Sequence, residues 1–314
     1  MNFIKDLHDG DEVDAVYLCK LKKKCQKPEG NKSYYSLVLQ DNSGVIDARI
    51  FNLAKVNNDY KELDYVKVKG KIVSFQNALQ MHIHCLRKCE EGEYDPKDYV
   101  PASQKSVEFL YSELLEYVKS IQNPGLHQLV ESFFIKDVEF KKVFCTHSAA
   151  KNVHHSFQGG LLEHTVGVVK TCSFIAESFP IINRDLLLVA AMFHDIGKTK
   201  ELSPLPENDY TDEGQLLGHI MIGIEMINAK VKLIEGLSTK LINELKHCII
   251  SHHGSLEYGS PKVPATIEAL ALSLADNMDA RLQTMSETIM KADSGLEWLG
   301  YNRYFDSNIR RSSK

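Results

Sequence analysis

Residues 188–198 read Leu-Val-Ala-Ala-Met-Phe-His-Asp-Ile-Gly-Lys. The pattern is an apolar helix that ends in two adjacent metal-type ligands, His194 and Asp195, followed by Gly197 and Lys198. Burying an imidazole and a carboxylate at a helix end costs desolvation energy unless something pairs with them. A divalent cation is a natural partner, because neutral imidazole and carboxylate suit manganese, iron or zinc. Taken alone, such a pair is more often a solvated helix terminus, since short motifs recur by chance. The rest of the chain has to supply further ligands before the metal reading wins.

It does so in a region that reads as all-α. From Ser103 onward the apolar spacing is helical, with Val107, Leu110, Leu114, Leu115 and Val118 on one face. Further helices are expected over 124–134, 137–146, 160–178, 184–196, 214–230, 238–252 and 264–290, with Asn183 and Ser238 as N-caps and Gly197 and Gly254 as C-terminal stops. His164 falls in the first turns after Gly159-Gly160, His219 opens a later helix, and His252-His253 end the next. Asp276 lies inside a long apolar helix, where an unpaired carboxylate is expensive. Each position alone has an ordinary explanation as a cap or a solvated terminus. In order, at the apolar-to-polar edges of successive helices, they predict a metal site. Spacing does not choose between His252 and His253, which on a helix point about 100° apart.

Residues 1–95 read as β. Val13–Leu18 and Tyr34–Leu39 alternate, and Asp41-Asn-Ser-Gly44 is a hairpin signal leading into Val45–Phe51. A short helical piece is expected over Asn52–Leu63, then strands at Tyr65–Val73 and Leu79–Leu86. Five strands interrupted once by a helix match a small OB-type Greek-key barrel, which binds oligomers through aromatic and cationic side chains. Lys20, Lys22, Lys23, Lys24 and Lys27 on the first hairpin, with Tyr34, Tyr35, Arg49, Phe51 and Phe75, are the candidates for that surface. Alternation puts half of the aromatics in the core, and the lysines read equally well as a solvated loop. The expected organisation is an all-β barrel over 1–92, a linker over 93–102, an all-α domain over 103–300 and a basic tail over 301–314.

The ordered pattern His164, His194-Asp195, His219, His252 or His253, Asp276 resembles the HD-domain metal-dependent phosphohydrolases over about residues 145–290. Residues 10–90 resemble the tRNA-anticodon-type OB-fold family. The joining of the two, with His154-His-Ser-Phe-Gln-Gly-Gly-Leu-Leu-Glu-His164 and Asp276-Asn-Met-Asp-Ala-Arg281, is similar to the YhaM-type 3′–5′ exoribonucleases. The resemblance implies one cation held by His164, His194, Asp195 and Asp276. It implies a second, where present, bridged by Asp195 and held by His219 with His252 or His253. The cations would be manganese foremost, with iron, cobalt, nickel or magnesium as alternatives. Such ions acidify a water and neutralise phosphoryl charge. Lys198, Arg281 and Lys151 are then candidates to hold a phosphoryl oxygen, and His154 or His155 to contact substrate or protonate the leaving group; surface or structural roles compete for each.

Composition sets the outer bounds. A net charge of −5 over 314 residues argues against bulk coating of DNA, though not against a local basic groove. Cys19, Cys25, Cys85, Cys89, Cys145, Cys172 and Cys248 lack the spacing of a disulfide framework, and Cys19/Cys25 with Cys85/Cys89 fit a thiolate zinc site poorly. With no signal-like start and no membrane-length apolar run, a cytoplasmic protein is expected, with no membrane partner. The leading expectation is a 3′–5′ exonuclease on single-stranded RNA, with single-stranded DNA as an alternative and self-association as a further expectation. Hydrolysis of a small nucleotide, and nucleic-acid binding without catalysis, are the competing functions.

Overall fold

The computed structural model describes residues 3–26, 33–53, 56, 59–75, 78–101, 103, 105–151, 155–292 and 295–313. Lys27, His154 and part of the helix expected over Asn52–Leu63 lie outside these residues; those described in that stretch form no α-helix. The chain divides into two compact units, Met1–Ala102 with Pro204–Asn208, and Ser103–Ser203 with Asp209–Lys314.

In the first unit β1 (Glu12–Gln26), β2 (Ser33–Asp41), β3 (Gly44–Ile50), β4 (Tyr65–Phe75) and β5 (Ala78–Lys88) close into a barrel in the order β1-β2-β3-β5-β4. Neighbours are antiparallel except β3 and β5, which run parallel from Asp47↔Gln80 to Arg49↔His82. Alternation decides the inside: Leu37, Leu39, Ile46, Ala48, Ile50, Val66, Val68, Ile72, Met81 and Ile83 are buried together. The β2–β3 turn forms as its sequence dictates, with Asp41 Oδ1 accepting from the Ser43 and Gly44 amides at 2.7 and 3.0 Å. A bulge between Lys69 and Gly70 shifts the β4–β5 register, so His84 and Cys85 both face outward.

The second unit is helical: α1 (Val107–Ser120), α2 (Pro124–Phe134), α3 (Val138–Thr146), α4 (Gly160–Ser178), α5 (Arg184–Phe193), α6 (Lys198–Glu201), α7 (Asp212–Val231), α8 (Thr239–Ile250) and α9 (Ile267–Lys291). Its axis is α5, whose residues from Leu186 to Phe193 are all buried. Asn183 and Ser238 cap α5 and α8 through their side chains, as expected. Gly254 is left-handed at φ 80°, but Gly197 is not a stop: its φ of −63° leads straight into α6. Its requirement is space, because a Cβ there would stand 2.0 Å from the His219 carbonyl oxygen. The expected tail is instead a hairpin, β6 (Trp298–Asn302) with β7 (Ser307–Arg310), anchored by buried Ile309. Its basic residues are part of the anchoring, since Arg311 donates to the Ala292 and Leu296 carbonyls at 2.8 and 3.1 Å.

Among the described residues no helix is long and apolar enough to cross a membrane. All seven cysteines are free thiols, and none belongs to a potential metal cluster among the described residues. At Gly70 a Cβ would come within 2.6 Å of the His82 carbonyl oxygen. Gly70→Ala should therefore destabilise the barrel by about 1–3 kcal/mol, read as a lower denaturation midpoint at unchanged slope.

Candidate metal centre and nucleic-acid surface

Separate elements bring the expected ligands together. His164 sits in the second turn of α4, His194 and Asp195 in the turn after α5, His219 in α7, His252 and His253 in the turn after α8, and Asp276 in α9. The helices stop sooner than their apolar pattern suggests, because the histidines themselves close them. His194 Nδ1 donates to the Ala191 carbonyl at 2.8 Å, and His252 Nδ1 to the Ile249 carbonyl at 2.7 Å, each reaching three residues back. His252 and His253 thus lie in a turn, where the helical 100° rule does not apply. Their rings approach to 4.2 Å, and both join His219 in one cluster.

The ring protons are committed in the same way throughout. His164 Nδ1 donates to Asp279 Oδ2 at 2.8 Å, His219 Nδ1 to Glu201 Oε1 at 3.0 Å, and His253 Nδ1 to the Tyr258 carbonyl at 2.9 Å. With Nδ1 carrying the hydrogen, a neutral ring presents its Nε2 lone pair inward. His164 and His194 bring two such Nε2 atoms within 3.1 Å of each other. Asp276 Oδ1 lies 3.2 Å and Asp195 Oδ2 3.5 Å from the first of them. Only a proton or a cation relieves that crowding of electron pairs.

The inward atoms of the second cluster share no hydrogen bond. Asp195 Oδ1, His219 Nε2 and His252 Nε2 are buried without any hydrogen-bond partner, and the two ring nitrogens lie 3.5 and 3.9 Å from the carboxylate oxygen. Leaving a buried polar atom unsatisfied costs about 1–3 kcal/mol each. Ligands about 2.0–2.2 Å from a shared ion stand about 3–4 Å apart, so these residues fit a divalent cation. Burial works against charge on Asp195, but Lys198 and His194 beside it outweigh that and hold its carboxyl well below the usual range. Burial keeps His252 neutral by pushing its pKa well below the ordinary imidazole value, leaving its nitrogen ready to ligate.

Two carboxylates of this centre escape the sequence pattern. Asp279, one turn beyond Asp276, also accepts from His155 Nε2 at 3.2 Å, and Gly167 leaves it room, since a Cβ there would be 2.3 Å from Asp279 Oδ1. Glu201 accepts from both the ring and the backbone of His219, whose amide is released because Gly218 breaks α7 with φ 70°. The hints for Asp279 are its i+3 spacing from Asp276 and its place in the Asp276–Arg281 run; for Glu201 there is none.

The other expected site residues divide. Lys198 Nζ pairs with Asp195 Oδ2 at 2.7 Å and lines the cavity of about 460 Å³ above the cluster, as does exposed Arg281. His155 is buried against Asp279 rather than lining that cavity, and Lys151 is ion-paired with Asp209 and lies over the Tyr210 ring. On the barrel, Tyr35 turns inward against the core and Lys22 donates to the Tyr60 carbonyl at 2.8 Å, so neither faces outward as a free contact. Phe51, 46 % exposed, sits between Tyr34 and His82 at ring distances of 5.7 and 5.1 Å. Arg49 shares that face, bonded to Ser36 Oγ at 2.7 Å, and Lys23 and Lys24 are exposed on β1. Phe75 is exposed at the end of β4, with no ring contact to that group among the described residues.

Manganese at about a hundred times its dissociation constant should stabilise the protein by about 2.7 kcal/mol for each site filled. A thermal melt should show that rise in the native chain and lose most of it in Asp195→Ala; an equal rise in both would remove Asp195 from the centre.

Residues 161–281 match the HD domain family and residues 20–88 the OB-fold nucleic acid binding domain. Among solved structures, the second OB-fold domain of replication protein A from Methanococcus maripaludis is 19 % identical at a TM-score of 0.24, covering 29 % of this chain and 96 % of that one. The OB domain of a Thermoplasma acidophilum protein is 17 % identical at a TM-score of 0.22, covering 30 % of this chain and 88 % of that one. A curated relative from Geobacillus sp. (strain WCH70), named 3′–5′ exoribonuclease YhaM, is 33 % identical over 288 residues, 91 % of this chain and 87 % of its own. With the barrel, the helical unit and their order all matched, the chain belongs to the family of the 3′–5′ exoribonuclease YhaM.

Proposed function

We propose that this protein is a metal-dependent exoribonuclease that shortens single-stranded RNA from its 3′ end and releases nucleoside monophosphates. The observation that carries the reading is the convergence of Asp195 Oδ1, His219 Nε2 and His252 Nε2, buried and unpartnered, beside the paired Nε2 atoms of His164 and His194. One cation would be held by His164, His194, Asp195 and Asp276. A second would be held by Asp195, His219 and His252, with His253 close by. When bound, such ions supply a nucleophilic water at neutral pH and charge neutralisation at phosphorus.

The protein's own groups do the rest. Asp195 stands between the two groups of ligands, Oδ2 at 3.5 Å from His164 Nε2 and Oδ1 at 3.5 Å from His219 Nε2, so its carboxylate would serve both cations. Lys198 holds Asp195 in place and presents positive charge on the cavity wall, where a phosphoryl oxygen would meet it. Asp279 and Glu201 orient His164 and His219, and His155 supports Asp279 in place of the leaving-group role expected for it. On the barrel, Tyr34, Phe51 and His82 with Arg49 supply the stacking and cationic surface that single strands use. Manganese as the metal, RNA over DNA, self-association and a cytoplasmic setting are part of the same proposal. The seven free thiols support a reducing compartment.

Incubated with manganese and a 5′-labelled single-stranded RNA, the native chain should give a ladder shortening from the 3′ end. Asp195→Ala or a chelator should abolish it. Intact RNA alongside phosphate release from mononucleotides would favour the small-nucleotide enzyme instead. Phe51→Ala should raise KM for a long RNA by about tenfold, from a stacking contribution of about 1–3 kcal/mol. Hydrolysis of a dinucleotide should change less in Phe51→Ala than hydrolysis of the long RNA.

A further inference from the structure

The cavity over the histidine cluster has walls that the metal ligands do not explain. Tyr304 lines it from the turn between β6 and β7, Tyr258 from the 3-10 turn Leu256–Tyr258, and Arg281 from α9. Tyr304 is 49 % exposed there, with its ring contributing little to any core. Yet its position is fixed. The hairpin is pinned by Ile309 and by the two Arg311 bonds described above, and the Tyr304 amide donates to Asn302 Oδ1 at 2.9 Å. Phe305, edge-on to Tyr304 at 4.9 Å, carries the Arg281 guanidinium over its own ring at 5.9 Å. Thus a held, half-exposed aromatic ring and a cation stand together at a cavity of about 460 Å³, a size typical of small-ligand pockets. The hairpin lies beyond residues 161–281, the span matched to the HD family.

We propose that Tyr304 is the stacking platform for the base of the 3′-terminal nucleotide, and that Arg281 beside it takes the phosphate linking that nucleotide to the strand. The inference rests on the exonuclease reading and names where that enzyme seats the residue it removes. An enzyme that takes one nucleotide per turnover has to seat any of four bases in one place. Stacking on an aromatic face achieves this, because every base has a π face, whereas a hydrogen-bonding pocket would select among them. A guanidinium suits the non-bridging oxygens of a phosphodiester by geometry as well as charge.

The test compares two RNAs of one sequence, the second lacking only its 3′-terminal base. The native chain should show a KM about tenfold lower for the base-bearing end. Tyr304→Ala should raise that KM until the two substrates are nearly equal, while Tyr304→Phe, which keeps the ring, should retain the native preference. A Tyr304→Ala variant that keeps the preference, or that loses rate equally on both RNAs, would overturn the assignment and leave Tyr304 a structural wall. A native chain that degrades neither RNA would instead overturn the exonuclease reading, and this proposal with it.

Discussion

Each histidine of the centre spends its Nδ1 proton on an oxygen of the protein, and the rest of the helical unit is arranged around that commitment. Three of the acceptors are backbone carbonyls, of Ala191, Ile249 and Tyr258, and two are carboxylates, Asp279 and Glu201. The consequence is electrostatic. Lone pairs of five imidazoles and oxygens of two aspartates gather in adjoining clusters beneath one cavity. Folding such a constellation is costly on its own, and a buried network left half-satisfied is worse than an apolar core. Two divalent cations would turn the same arrangement from a liability into a rigid site.

Close backbone approaches hold the ligands at that spacing. Gly197 lets the turn after α5 press against the His219 carbonyl, Gly167 lets α4 press against Asp279, and Gly218 frees the His219 amide for Glu201. A methyl group at Gly197 would collide with the His219 backbone, and one at Gly167 with the Asp279 carboxylate that orients His164. Behind them α5 is buried along its length, so His194 and Asp195 issue from the most constrained helix in the unit. Rigid support of this kind matters because misplacement of reacting groups by about 1 Å costs about a hundredfold in rate.

The sequence carried the parts of this that depend on local pattern. Period-two alternation placed the barrel strands, and helical periodicity placed every helix but α6 closely enough to order His164, His194-Asp195, His219, His252-His253 and Asp276. What it could not carry was pairing between distant side chains. Glu201 and Asp279 reach histidines 18 and 115 residues away, and no spacing rule marks such a contact. The same blindness explains Lys22 and Lys151, whose charges read as available for phosphate until Tyr60 and Asp209 are seen beside them. Helix ends slipped at His194 and His252 because side-chain capping by an imidazole overrides apolar periodicity. Tyr34 and Tyr35 were separable only by register, since one residue decides which face a strand side chain takes. The C-terminal hairpin was hidden because its anchor is Arg311 bonding to carbonyls, in a stretch whose charge reads as a solvated tail.

The most direct test of this account is anomalous diffraction from crystals grown with manganese, recorded above and below the metal edge. Two peaks are expected. One should lie between His164 Nε2, His194 Nε2, Asp195 and Asp276, and the other between Asp195 Oδ1, His219 Nε2 and His252 Nε2, with the Nδ1 hydrogen bonds unchanged. An absent peak at the first position, or ligation through Nδ1 with those hydrogen bonds broken, would contradict it.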